Sequence, residues 1–392
     1  MLAFQKACTH GHLDEAQRLF TLGGVDIHAD DDVAFLEACG SGHLAVAQWL
    51  HALGGVDIHG AQEGAFRWAC ANGHLLVAQW LHALGGVDVH AIGDNAFKAA
   101  CRMGHLQVAK WLLCLGGVAT HAIEDEAFRG SCLRGHLEVA QWLFALGGVD
   151  IHAGGERVFR EVCWSGQLAI AQWLHALGGV DIHAAQEGAF RWACANGHLL
   201  VAQWLHALGG VDVHAMGDNA FKAACECGHL QVAQWLFAQG GVGIHADDAF
   251  STACERGHLQ VAQWLFAQGG VDIHADDDDA FGMACGKGHL AVAQWLIGLG
   301  GVNIHADNDL AFRWACYYGH VEVAQWLITL GGVDIHADND DAVLCACFYR
   351  RFRVGRWLIA LDPAWDWPLD AIKALQAWSP ARDAWMRAVL CQ

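Results

Sequence analysis

Proline is nearly missing from this chain, with three in 392 residues (Pro363, Pro368 and Pro380). Whatever helices lie upstream escape the kinks and stops proline imposes, so other residues must end them. Charged residues are also few, at 16% beside 55% apolar residues, which excludes a disordered polyelectrolyte. Bases are the scarcer sign. Residues 1–341 hold 15 Lys+Arg against 38 Asp+Glu, and only residues 342–392 reverse the balance, with 7 against 4. A phosphate backbone or an anionic bilayer is repelled by most of such a surface, so neither nucleic acid nor membrane is expected as a partner. No run approaches the roughly 18 apolar residues of a membrane span. The opening segment MLAFQKACTHGHLDEA lacks the apolar stretch of a secretory signal, which places the chain in the cytoplasm.

Catalytic signatures are missing too. The sequence has no Gly-x-Ser-x-Gly, no phosphate loop and no His-Glu-x-x-His, and no unrepeated segment is long enough for a catalytic domain. His, Cys and Asp are plentiful but periodic, whereas chemistry needs a unique convergent cluster. No enzyme, cofactor or small-molecule substrate is expected.

Repetition is what the chain has in abundance. Gly-His-Leu recurs with its Gly at 11, 42, 73, 104, 135, 197, 228, 257 and 288. Gly166 and Gly319 fill the same slot ahead of Gln167 and His320, and Arg350-Arg351 marks a degenerate twelfth unit. The period is 31 residues, except for a step of 29 from Gly228 to Gly257. Residues 61–91 and 185–215 are identical, the trace of a duplicated block of four units. Around Gly104, Asp94–Arg102 reads as one helix, with Phe97, Ala100 and Cys101 at helical spacing. Leu106–Leu113 reads as a second helix, which Gly116-Gly117 stops. The Val-Asp-Val-His-Ala segment at Val87–Ala91 alternates in a way suited to an extended loop or hairpin. Helices this short must stack on neighbours to survive.

The unit resembles the ankyrin repeat: helix, Gly-His-Leu, helix, glycine, then an Asp-containing finger ending in Ala. Two departures stand out. Asn95-Ala96-Phe97-Lys98 occupies the slot where that family has Thr-Pro-Leu-His, and the turn reads Gly-Gly-Val-Asp-Ile-His-Ala. The pattern is similar to divergent long arrays of amoebae, giant viruses and intracellular bacteria. The resemblance implies an all-α solenoid of about twelve helix-turn-helix repeats with finger loops over residues 1–361. Residues 1–31 would cap its start, 342–361 form the degenerate last repeat, and 362–392 form a C-terminal helical cap. It also implies a monomeric protein–protein interaction scaffold.

Most conserved-looking columns have a packing explanation. Eleven tryptophans stand seven residues after the Gly slot, from Trp49 to Trp357, and are expected to pack between repeats. Twelve cysteines stand three residues before it; neighbouring stacked helices lie about 8–10 Å apart, too far for disulfides. Cys-x3-His offers zinc only two ligands per repeat where it wants four, so no metal is expected. An acidic residue ten before the slot, such as Asp94, is expected to cap the first helix. A base four further on, such as Lys98, completes a favourable pair.

Function is expected where the repeat stops repeating, five, two and one residues before the Gly slot. These positions resemble the family's concave face, and Trp, Tyr and Arg dominate binding energy at interfaces. They single out Trp68, Arg102, Arg134, Trp164, Trp192, Trp314, Tyr317 and Tyr318 as partner-binding residues. In the tail, Pro368–Trp378 reads as an amphipathic helix, and Ser379-Pro380 opens another through Leu390. Pro-Leu-Asp, an apolar helix and Ser-Pro-Ala-Arg-Asp also bear a faint similarity to an F-box, which implies a ubiquitin-ligase adaptor as the alternative role.

Overall fold

The computed structural model describes residues 2–118, 126–240 and 246–377. Every regular element among them is helical, and no strand is present among the described residues. Packing divides the chain into two units, one holding Met1–Ala193 with Gln203–Gly209 and the other the remainder. Each is a run of the same helix pair.

The pair around Gly104 shows why these residues fold as they do. Ala96, Phe97, Ala100 and Cys101 share one face of helix Ala91–Arg102 and are almost wholly buried. Val108, Ala109 and Leu112 do the same on helix Leu106–Leu115. Between them Gly104 adopts φ +85°. His105 N–H then donates to Ala100 O at 2.8 Å and Met103 N–H to Ala99 O at 2.9 Å, closing the first helix in a Schellman-type stop. The His105 carbonyl accepts from Ala109 at 3.0 Å and starts the second helix. Two residues after a stop, a new helix has begun.

Helices of the first kind lie side by side. In the first unit Ala29–Gly40 packs on Gly60–Ala71, and that on Ala91–Arg102; in the second, Ala275–Gly286 packs on Ala306–Tyr318, and that on Ala337–Phe348. The spine of the core is a phenylalanine column seven residues before the Gly slot: Phe35, Phe66, Phe97, Phe128 and Phe159 are at most 1% exposed. The tryptophan column packs between repeats, as expected, but at its margin. Trp80 is half-buried and meets Phe35 edge-on, with ring centroids 6.3 Å apart, and His51 at 5.8 Å. The cysteine column is buried and unpaired, and burial pushes the Cys225 and Cys254 thiols up to about 12.

The fingers differ from the expected hairpin. The residues after His28 form a single turn of left-handed helix: Asp30, Asp31 and Asp32 have φ between 52° and 59°. Ala61–Glu63, Ile92–Asp94, Gly154–Glu156, Asp307–Asp309 and Asp338–Asp340 repeat it. Each non-glycine residue held there costs about 1–2 kcal/mol, least for Asp and Asn. That preference accounts for the acidic runs at these tips.

The acidic column therefore ends a left-handed turn and does not cap a helix, since no side-chain cap bond forms there. Asp32 Oδ1 lies 2.7 Å from His28 Nδ1, while Asp32 Oδ2 accepts the Asp57 N–H at 2.9 Å. Asp309 does the same with His305 Nδ1 at 2.7 Å and Asp334 N at 2.9 Å. One carboxylate fastens its own finger and the next. Both are buried, at 8% and 5% exposure.

Candidate protein-binding face

With Ala65, Phe66, Ala69 and Cys70 turned into the core, helical geometry sends Trp68, Ala71 and Asn72 outward. The same holds in every repeat, so the variable positions form the exposed side of the first helices. In the first unit this side carries Trp68, Arg102, Arg134, Trp164 and Trp192. Trp68 and Trp164 are 46% and 49% exposed, large areas for indoles. A Cβ on Gly40 would lie 3.3 Å from Trp68, so the preceding repeat's glycine lets the indole lie close. Asn72 Nδ2 donates to Gly40 O at 2.7 Å beside it. Arg160 places its guanidinium 5.2 Å above the Trp192 ring, a cation–π contact. Arg102 and Arg134 are exposed, the latter with Nη1 3.2 Å from Met103 Sδ.

In the second unit the side carries Trp314, Tyr317 and Tyr318. Trp314 lies over Gly282 and Gly286 of the preceding helix. Tyr317 stacks between Tyr318 at 4.6 Å and Tyr349 at 4.3 Å, and Lys287 Nζ sits 4.9 Å over Tyr318. The hydrogen bond to Tyr349 holds the Tyr317 phenol up at about 12. Tyr349 and the 79% exposed Phe348 fill the same two variable positions in the last repeat. The sequence reading missed them because Arg350 occupies the Gly slot there, although the spacing is unbroken.

The basic column is not paired with the acid four residues earlier. Arg67 reaches back over the left-handed turn, donating from Nε to Gln62 O at 2.8 Å and from Nη2 to Ala61 O at 2.9 Å. Arg160, Arg191 and Arg313 repeat this with the first two carbonyls of their own turns. Arg313 also bridges to the next repeat, to Asp338 at 2.8 Å and Asp341 at 3.1 Å.

The Gly-His histidines face the preceding repeat. A Cβ on Gly104 would sit 2.5 Å from His136 Nδ1, and the His136 ring hydrogen-bonds the backbone of Arg102. Gln167 substitutes for histidine with the same aim, Nε2 donating to Leu133 O at 3.4 Å. Burial holds His74, His105, His136, His229, His289 and His320 below the usual imidazole range. No group of three or more His, Cys, Asp or Glu among the described residues is placed to hold a metal ion. No described helix is long and apolar enough to cross a membrane.

Beyond the last repeat, helix Leu369–Ala377 packs on Ala337–Phe348 and Phe352–Leu361. Trp367 and Ala371 are buried, Trp365 Nε1 donates to Asp340 Oδ2 at 3.2 Å, and its ring stacks on His336 at 3.9 Å. Ser379-Pro380 and the helix expected after it lie outside the described residues.

Comparison with known proteins follows the same lines. Residues 159–249, 250–339 and 281–364 match the family described as ankyrin repeats (3 copies), and residues 66–113 match ankyrin repeats (many copies). Among solved structures, the crystal structure of the human ASB11 ankyrin repeat domain is similar at 21% identity, covering 53% of this chain and 97% of that one with a TM-score of 0.39. No curated protein matches the chain.

Proposed function

The chain belongs to the ankyrin-repeat family, and from that premise we propose that it is a protein–protein interaction scaffold, presenting the variable side of its first helices to a macromolecular partner. The observation that carries this reading is the contrast between two kinds of aromatic position. The Phe column is invariant in character and buried. Trp68, Trp164, Trp192 and Tyr318 occupy variable positions and stay 37–49% exposed. Half-exposed indoles beside arginine, as at Trp192 and Arg160, are the side chains that anchor protein partners. Repeats of this family are interaction modules rather than catalysts, and the periodic His, Cys and Asp are all accounted for by stacking.

Residues 362–392 are read as a cap on the last repeat, supported by the burial of Trp367 and Ala371. The ubiquitin-ligase adaptor reading depends on the Ser379-Pro380 half of the segment, and no contact among the described residues favours it.

Affinity purification with crosslinking tests the scaffold reading. Trp68→Ala with Trp164→Ala in one unit, or Trp314→Ala with Tyr317→Ala in the other, should remove the captured partner while circular dichroism stays native. Undiminished capture by both folded double variants refutes the assignment of this face.

A further inference from the structure

In four repeats a guanidinium sits over the left-handed turn: Arg67, Arg160, Arg191 and Arg313 each donate to the carbonyls of the turn's first two residues. The repeat built on Gly288 has the turn, Asp276–Asp278, but Gly282 stands where the arginine belongs. A pocket opens there, walled by Trp314 and Leu310 and rimmed by Asp276, Asp277 and Asp307. A Cβ on Gly282 would meet nothing closer than Trp314 Cζ3 at 3.7 Å, so the space is real at the glycine itself.

We infer that this pocket takes an arginine side chain of a protein partner, in the place where sister repeats seat a guanidinium of their own. The inference rests on the scaffold reading and gives it a ligand chemistry. By repeat equivalence the Asp276 and Asp277 carbonyls correspond to those that bind Arg313, and Asp307 corresponds to Asp338, which pairs with Arg313 Nη1 at 2.8 Å. Leu310 stands where Asp341 takes the second bridge, leaving two carbonyls and one carboxylate as the acceptors. Three acceptors around one flat space suit the rigid fork of arginine, which spends Nε and both terminal nitrogens; lysine is a point charge and meets them poorly. The Trp314 ring adds a face for cation–π contact. No Lys or Arg among the described residues forms an ion pair with Asp276, Asp277, Asp279 or Asp307. Asp279 alongside registers the want of a cation: burial, and then the charges of Asp276 and Glu255, push its carboxyl up.

The test uses the full chain, labelled at its indole nitrogens, with Trp314 assigned through Trp314→Phe. The probes are acetyl-Gly-Arg-Gly-amide and its citrulline counterpart, which keeps the shape and loses the charge. The arginine peptide should shift the Trp314 indole resonance saturably, and the citrulline peptide should bind at least tenfold more weakly. Gly282→Arg, which supplies the guanidinium in cis, should abolish the response with Tm at or above that of the parent. Asp307→Asn, at the rim, should weaken binding severalfold and serves if Gly282→Arg does not fold. Equal titration by the two peptides, a parent-like response from folded Gly282→Arg, or unchanged affinity in Asp307→Asn overturns the proposal. A chain that captures its partner through the helix faces yet ignores the arginine peptide loses this pocket and keeps the scaffold reading.

Discussion

Gly104 answers to two constraints at once. Its φ of +85° is one, and the His136 ring of the next repeat, 2.5 Å from where a Cβ would go, is the other. Gly116 shares the backbone angle, at +86°, with nothing within 4 Å of a Cβ. Gly116→Ala should therefore cost about 1–2 kcal/mol, the backbone part alone. Gly104→Ala must also displace an imidazole and should cost about 2–4 kcal/mol, since overpacking adds its own penalty. Urea unfolding of both variants separates the terms; equal losses would show that the histidine gives way freely. Asp309 is the second residue of this sort. Its carboxylate serves His305 and the Asp334 N–H from a buried site, so Asp309→Ala should lose about 1–3 kcal/mol by the same assay. A loss no greater than that of the exposed Asp338→Ala would mean that the finger clasp contributes nothing.

At the scale of elements, the helix pairs were legible because the apolar period is strong: Phe97, Ala100 and Cys101 lie in the core where their spacing puts them. The place of tryptophan was legible only in part. Size suggested a deep core, yet each indole sits at the rim while the smaller Phe ring fills the centre, since two facing helices leave room for one ring layer. The left-handed finger turn was not read at all. Runs such as Asp276–Asp279 resemble a solvated tip or a helix start, and three successive positive φ values leave no periodic signature; the Asp, Asn and Gly content was the available signal. The base at Arg67 was likewise assigned a partner by helical spacing, whereas the reversed backbone of the turn brought carbonyls within its reach. Of the candidate binding face, position was legible and mutual contact was not. Burial of the cysteine column yields a check on the whole assignment. With native protein, a thiol reagent followed by mass mapping should modify the exposed Cys114 and Cys227 first, and reach Cys39, Cys70 or Cys163 only after denaturant is added. Early labelling of the column would mean that the helix pairs open readily.

For the whole molecule, stability is a sum over repeats and their interfaces, so a small effect repeated many times becomes visible. The Gly-His histidines supply such an effect. Six of them are held below the ordinary imidazole value, first by burial and then, for His105, His229, His289 and His320, by the charge of neighbouring histidines in the same row. A lowered folded-state value means that the unfolded chain binds more protons once pH falls below about 6.5. Stability is then unaffected by these groups above that pH and is lost progressively beneath it. The formal charge of −20 acts the other way, since acid relieves self-repulsion, but salt screens exposed charge within about 8 Å at physiological ionic strength and more closely above it. Thermal unfolding in about 0.5 M salt, where the Debye length is near 4 Å, should show Tm dropping between pH 7.5 and 5.5. Gln167 already holds the equivalent site without a titrating ring. Replacing His74, His105 and His136 with glutamine should therefore flatten the slope while leaving Tm at pH 7.5 within a few degrees of the parent. A parent whose Tm is level or rising across that interval would show that the row stays neutral or pays nothing for its charge, and a glutamine variant with the parent's slope would place the titrating groups elsewhere.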